Sequence, residues 1–335
     1  MRGVVFFNNK GGVGKTTLAC NMAAHIAAET NKSVLVVDLD PQCNATQLLL
    51  DDDKWESIYG QRKASLNKTI VRALRHFREG DSSLDSSVEI LKSERFGVDV
   101  IPGHPSMSLV EDLLSESWGQ FKQGLMGGAR RSLWVRTLTE SLSYDIVVID
   151  VGPSLGALNR TALLGSDGFV TPMSADLFSL YALDNIADWT QSWTGEYRRA
   201  YTSLVETSPE LDISGVPEAP DFLSGYLGFT VQQYVTKTKA GAVRSVKAYE
   251  KYKGQIPDRA RGLLKESGLK EDSLDLGLVP NMFSMVPLAQ SAHAPIRELT
   301  ASDGVRGAQV SQRNRYVERL DAIAEQMMSN MGIKV

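Results

Sequence analysis

Cysteine and histidine are scarce, with two and four residues respectively in a chain of 335. Cys20 and Cys43 make no disulfide framework, so a packed core has to hold the fold. His25, His76, His104 and His293 are scattered without metal-ligand spacing, which leaves no zinc site to read. Also missing is any apolar run near the ~18 residues of a membrane span. One Arg and the short apolar run Val4–Phe7 do not make a secretory leader. No internal repeat or low-complexity tract interrupts the chain. The expected location is therefore cytoplasmic. What is present, 42% hydrophobic and 23% charged residues, is the composition of a soluble globular protein. The length suits one large domain or two small ones, with residues enough to bury a full core. A net charge of −4 excludes a surface basic all over, but not a local basic patch.

The informative stretch follows Val4–Phe7 directly: Asn8-Asn9-Lys10-Gly11-Gly12-Val13-Gly14-Lys15-Thr16-Thr17. Behind it, Leu18–Ala24 reads as a helix. Strand, glycine-rich turn and helix are the context in which Gly-Lys-Thr cradles phosphate. Glycines let successive N–H groups point inward, and the helix N-terminus adds partial positive charge. Lys15 is placed for β- and γ-phosphates, and the Thr16 hydroxyl for Mg2+. The strict pattern has glycine at position 9. Here Asn9 stands there, and a second lysine, Lys10, precedes the paired glycines.

Further along, Ser33–Asp38, Val98–Pro102, Asp145–Asp150, Gly168–Met173, Gly225–Val231 and Leu274–Val279 read as strands. Most are continuously apolar, the signature of a buried parallel sheet. Helical patterns lie between them. The C-terminal one puts Tyr316, Leu320, Ile323, Met327 and Met331 on a single stripe. Residues 51–64 read as polar loop, and 79–87 as an acidic, serine-rich loop. From Ala200 to Thr236 there is neither Lys nor Arg, and Pro209, Pro217 and Pro220 mark loop. The expected fold is a doubly wound, mostly parallel α/β sheet flanked by helices. It forms a single P-loop domain over 1–335, with 51–97 and 190–222 as insertions or extended loops. Ligands of such sheets sit beyond the strand C-termini. Lys15, Asp38, Asp40, Asp150 and Asn281 all fall there.

Phosphoryl transfer asks for cations on the phosphates and a positioned water. Asp150, ending the clearest apolar strand, is placed to hold Mg2+. Asp38 and Asp40 add two carboxylates. One reads as structural or as a partner behind the metal, and the other as the group that orients water.

The loop Lys10–Thr17 resembles the deviant Walker A motif of the ParA/MinD family of dimeric P-loop ATPases. Val37–Gln42 is similar to that family's switch I, D-x-D-P-Q-G-N, and Asp150–Gly156 to its switch II, D-x-P-P-S-L-G. The resemblance covers most of the chain, with its three nucleotide motifs in order. It implies a ParA-like ATPase with ATP and Mg2+, the latter near Thr16, Asp38 and Asp150. It implies that Gly11, Gly12, Val13, Gly14, Lys15, Thr16 and Thr17 cradle phosphate, and that Pro280-Asn281 packs on adenine. It makes Asp40 the residue needed for hydrolysis. Lys10 would reach across an ATP-dependent homodimer to the partner's phosphates, whereas in a monomer it would point to solvent. Two departures stand out: Cys43 for the usual switch I glycine, and Gly152 for the first switch II proline. With the phosphate loop starting at residue 9, no operator-binding helix-turn-helix domain is expected ahead of it.

The first function expected is therefore a partition ATPase that binds DNA non-specifically, sits on the nucleoid and answers to a ParB-like or other activating partner. Arg244, Lys247 and Lys251, at i, i+3 and i+7, would supply one basic helix face, the kind of stripe that phosphates bind. The bland account is a solvated helix. A MinD-like membrane-recruited or protein-cargo switch is the alternative, but Glu318, Asp321 and Glu325 offset the basic residues of the last helix and make a membrane contact unexpected. An ATP-dependent metabolic enzyme on the same fold comes third. Cys20, inside the helix behind the phosphate loop, is poorly placed for a shared iron-sulfur cluster.

Overall fold

A computed structural model describes residues 2–333 except 208–209, 211, 221–224, 234–237, 240–241, 244–246 and 264–268. Eight strands form one sheet: β1 (Arg2–Phe6), β2 (Val34–Asp38), β3 (Leu91–Ser93), β4 (Val98–Ile101), β5 (Ile146–Asp150), β6 (Gly168–Ser174), β7 (Tyr226–Gln232) and β8 (Asp275–Val279). Their spatial order is β8-β7-β6-β1-β5-β2-β4-β3, parallel except for β3, which runs antiparallel to β4 at the edge. The helices used below are α1 (Lys15–Glu29), α2 (Asn44–Leu49), α3 (Asp52–Tyr59), α4 (Val110–Lys122), α5 (Ala157–Leu164), α6 (Leu177–Thr207), α7 (Lys247–Lys253) and α8 (Ala308–Asn330).

Alternation along the central strands sorts side chains into two cores. Val5, Leu35, Val37, Val147 and Ile149 face one layer, which includes α4, α5 and α6. Val4, Phe6, Val34, Val36, Ile146 and Val148 face the other, under α1 and α8. Both faces being covered explains why the strands read as unbroken apolar runs. Phe6 is fully buried between β1 and α1. Phe6→Ala should destabilise the domain by about 3–5 kcal/mol, as a lost aromatic and the cavity it leaves do elsewhere. Chemical unfolding checks this, and a midpoint unchanged from wild type refutes it.

Two expectations change. Residues 52–59 are helical, not loop. Asp51 caps the helix by accepting from the Lys54 amide at 2.9 Å, with Asp52 and Asp53 in the first turn. Only Ile58 of this helix is buried, so no apolar stripe announced it. The segment from residue 190 continues α6 as far as Thr207, with Trp193, Tyr197, Ala200 and Leu204 buried in the same core. Strand β3 is three residues long and half buried, too short to carry a pattern. The apolar stripe of α8 is buried as expected, with Tyr316, Leu320, Ile323 and Met327 each about 1% exposed.

Candidate nucleotide-binding site

Strand β1 delivers the phosphate loop to the sheet's C-terminal edge. Asn8, fully buried, donates from Nδ2 to the Pro172 carbonyl (2.8 Å) and accepts from the Lys10 amide (2.9 Å), which fixes the loop's root. Gly12 and Gly14 then take φ of 74° and 78°, left-handed conformations that glycine adopts without penalty. No side chain caps α1, and no acidic residue sits in its first turn. The amides at the start of a fifteen-residue helix therefore face the loop as free anion donors.

Lys15 is 7% exposed, and its Nζ donates to the Lys10 carbonyl at 3.3 Å. Burial pulls its pKa down, against the attraction of Asp150 and Asp40. Thr16 Oγ1 donates to Asp150 Oδ2 at 2.8 Å. The other carboxylate oxygen, Asp150 Oδ1, is buried without a hydrogen-bond partner. Burial, and then the neighbouring Asp38, raise the Asp150 pKa well above the carboxylate range, while Thr16 and Lys15 oppose the rise. An orphaned carboxylate oxygen beside a threonine hydroxyl is a donor set that suits a hard divalent cation.

Asp38 lies in register with Asp150 on the neighbouring strand. Its oxygens are occupied, Oδ1 by the Asp40 amide (3.1 Å) and Oδ2 by the amide and hydroxyl of Thr46 (2.8 and 2.7 Å). Burial raises its pKa to about 7 in spite of these bonds. Asp38 thus braces α2, with both of its oxygens already accepting hydrogen bonds. Asp40, 6% exposed, accepts from the Gln42 amide at 3.0 Å and lies against the loop that follows Asp150. A Cβ at Gly152 would stand 3.2 Å from Asp40 Oδ1, so the proline-to-glycine departure leaves room for this carboxylate. The second departure also has a backbone setting: Cys43 sits at φ 55°, where glycine is unstrained and another residue costs about 1–2 kcal/mol.

Lys10 is a correction. Its Nζ does not point to solvent but pairs with Asp176 and lies 3.3 Å from Ser179 Oγ. Burial pushes the Asp176 carboxyl up, yet Lys10 and the amides of Ser179 and Phe178 outweigh it and hold the group below its usual range. Pro280-Asn281 follows β8, and Asn281 Oδ1 accepts from the Phe283 amide at 2.9 Å. Val279 pairs in register with Gln232 of β7, whose side-chain amide lies over the phosphate loop, 2.8 Å from where a Gly14 Cβ would be. Lys15, Thr16, Asp38, Asp40 and Asp150 therefore meet directly, and Asn281 joins the same edge through β7. Gln232 and Asp176 escaped the sequence reading, because a lone polar residue at a strand end or helix start carries no pattern. Lys247 and Lys251 are exposed on α7, while Arg244 lies outside the described residues.

The family model for the AAA domain matches residues 1–200. A Corynebacterium diphtheriae protein of known structure is 37% identical, with TM-score 0.73 over 88% of this chain and 97% of that one. The chromosome-partitioning ATPase Soj of Thermus thermophilus is 32% identical over 56% of this chain and 59% of its own. At 15% identity, where likeness concerns the fold alone, a Borrelia burgdorferi putative plasmid partition protein bound to AMPPNP gives TM-score 0.59 over 98% of each chain. The chain spans about two thirds or less of the length of the first curated relatives it matches. On the family match, these relatives and the deviant phosphate loop, the chain belongs to the AAA-domain family, in its ParA-like P-loop branch.

Proposed function

We propose that this chain is an ATP-driven dimerisation switch that binds DNA without sequence preference and positions a cargo. The observation that carries the nucleotide part is the uncapped start of α1 beside the buried Lys15, with the unpartnered Asp150 Oδ1 next to Thr16. Thr16 and Asp150 would hold Mg2+, which when bound neutralises charge on the phosphates. Lys15 binds the β- and γ-phosphates once its ammonium leaves the Lys10 carbonyl. Asp40 orients the nucleophile. Pro280-Asn281 closes the base end, and Gln232 lies over the phosphate loop. Among the described residues no helix is long and apolar enough to cross a membrane, and the apolar stripe of α8 faces the core. The segment 51–97 we take as an insertion that shapes a partner surface, with a ParB-like activator as the kind of partner.

Sedimentation with ATP, ADP or no nucleotide, with and without random DNA, tests the whole reading. A faster species in ATP alone, shifting again with DNA, is expected; an ATP-independent profile overturns it. Asp40→Ala should bind ATP and dimerise but turn over slowly, and hydrolysis at the wild-type rate would reduce Asp40 to a turn residue. The joint replacement of Arg244, Lys247 and Lys251 by Glu should abolish DNA binding and leave ATP affinity intact. Wild-type DNA affinity should fall with salt at a log–log slope of about −0.9 per phosphate contact. Indifference to DNA at low salt would leave a protein-cargo switch. Hydrolysis that requires a second small substrate would instead point to a metabolic enzyme.

A further inference from the structure

The loop 151–156, between the cation-site Asp150 and α5, is held from behind by two side chains. Asn159, 2% exposed, donates from Nδ2 to the carbonyls of Gly152 (2.7 Å) and Ser154 (2.8 Å). Glu111 reaches in from α4, and its carboxylate accepts from the amides of Ala157 and Leu158, the latter at 3.0 Å. Helix α5 has no cap of its own, because its N-cap residue is Gly156. A carboxylate from another helix thus takes the role that a Ser or Asp usually plays at the N-cap. Gly156 is the counterpart of that choice: a Cβ there would collide with Glu111 Oε1 and stand 2.9 Å from its Cδ.

The same face of α4 reaches further. Arg160 of α5 lies over the Trp118 ring, 4.2 Å from its centroid, with Glu111 and Glu196 as its anionic neighbours. Trp118 Nε1 donates to Glu196 Oε2 of α6 at 2.7 Å, and Lys122 pairs with that carboxylate at 3.5 Å. Helix α4 therefore grips both the start of α5, whose Asn159 holds the loop carrying Gly152, and the long helix that begins at Leu177, beside the Asp176 that holds Lys10.

We propose that Glu111 is a positioning residue for the nucleotide site: by capping α5 from α4 it fixes the loop 151–156, and with it the wall against which Asp40 rests. The proposal rests on the nucleotide-switch reading above. It assigns Glu111 a role in turnover and none in nucleotide affinity, because no phosphate-loop group touches it.

Two single variants break the contact from opposite sides. Glu111→Ala removes the carboxylate, and Gly156→Ala displaces it with a methyl group at φ −99°, which alanine adopts freely. Each should lower kcat for ATP about tenfold, the low end of the ten- to hundredfold loss seen when groups behind a metal site are removed. KM for ATP and the affinity for a non-hydrolysable analogue should stay within about twofold. The double variant should be no worse than either single one, because both remove one contact. Hydrogen exchange at residues 152–158 should speed up in both single variants, with melting temperatures that show the fold intact. Unchanged kcat and unchanged exchange in folded Glu111→Ala protein overturn the proposal, as do losses that multiply in the double variant. A wild-type protein that neither binds nor hydrolyses ATP would overturn the switch reading instead. The exchange measurement needs no turnover, so it would still decide whether Glu111 fixes the loop.

Discussion

Lys15→Ala should weaken ATP binding about a hundredfold or more, in line with the 2–5 kcal/mol that truncating one partner of a buried charge pair costs. The size follows from the site's composition. Lys15 is the one lysine of the loop turned inward, beside Asp150 and Asp40, with Asp38 next to Asp150, and all three acids are 6% exposed or less. Removing the ammonium leaves the phosphates facing carboxylates, with only the amides of α1 and a bound cation to offset them. Lys15→Arg keeps the charge but adds a planar fork to a pocket shaped for a point donor, so it should restore only part of the affinity. Equilibrium titration with a fluorescent ATP analogue measures both variants. Wild-type affinity in Lys15→Ala would remove the phosphate-loop assignment, whatever the hydrolysis rate.

How much of this site could be read from the sequence depends on how each residue acts. The placement of Lys15, Thr16 and Asp150 was legible because it depends on local context: a strand, a turn and a helix in immediate succession, or a carboxylate ending an apolar strand. Asp38 and Asp40 were legible as a pair, but their division of labour was not. Only the fold brings Thr46 and Gly103 against Asp38 and leaves Asp40 against Gly152. The backbone setting of Cys43 was hidden for the same reason, since a positive φ shows in sequence only when glycine marks it. Glu111 and Asn159 are further from legibility. Glu111 lies in the first turn of α4, 46 residues from the amide it holds, and nothing local distinguishes it from a solvated glutamate. Helix α3 was missed because hydrophobic periodicity is a signal of burial, and a surface helix made by its cap shows none.

Lys10 should act on a partner's phosphates, and the structure now says what it must leave to do so. In the single chain its ammonium is paired with Asp176 at the start of α6, next to Leu177, Phe178 and Tyr181, which are 42%, 72% and 56% exposed. Three large apolar side chains around a parked lysine suit a face that a second copy covers. The pair is partly exposed, with side-chain accessibilities of 26% and 39%, so breaking it costs little, about 1 kcal/mol at most. Lys10→Ala should therefore bind ATP and stay monomeric, while Asp176→Ala should dimerise in ATP at a severalfold lower protein concentration. Charged fingers supplied in trans can contribute ~10³–10⁵ in rate, and a lysine, with one point of contact, should give less. Mixing Lys10→Ala with Asp40→Ala tests the trans geometry. In a mixed dimer the Asp40→Ala subunit lends its Lys10 to the site whose own Asp40 is intact, and that site recovers. Mixed dimers shown by labelled subunits but without recovered hydrolysis would confine Lys10 to its own site, and Asp176 would then be no more than the surface partner of a loop lysine.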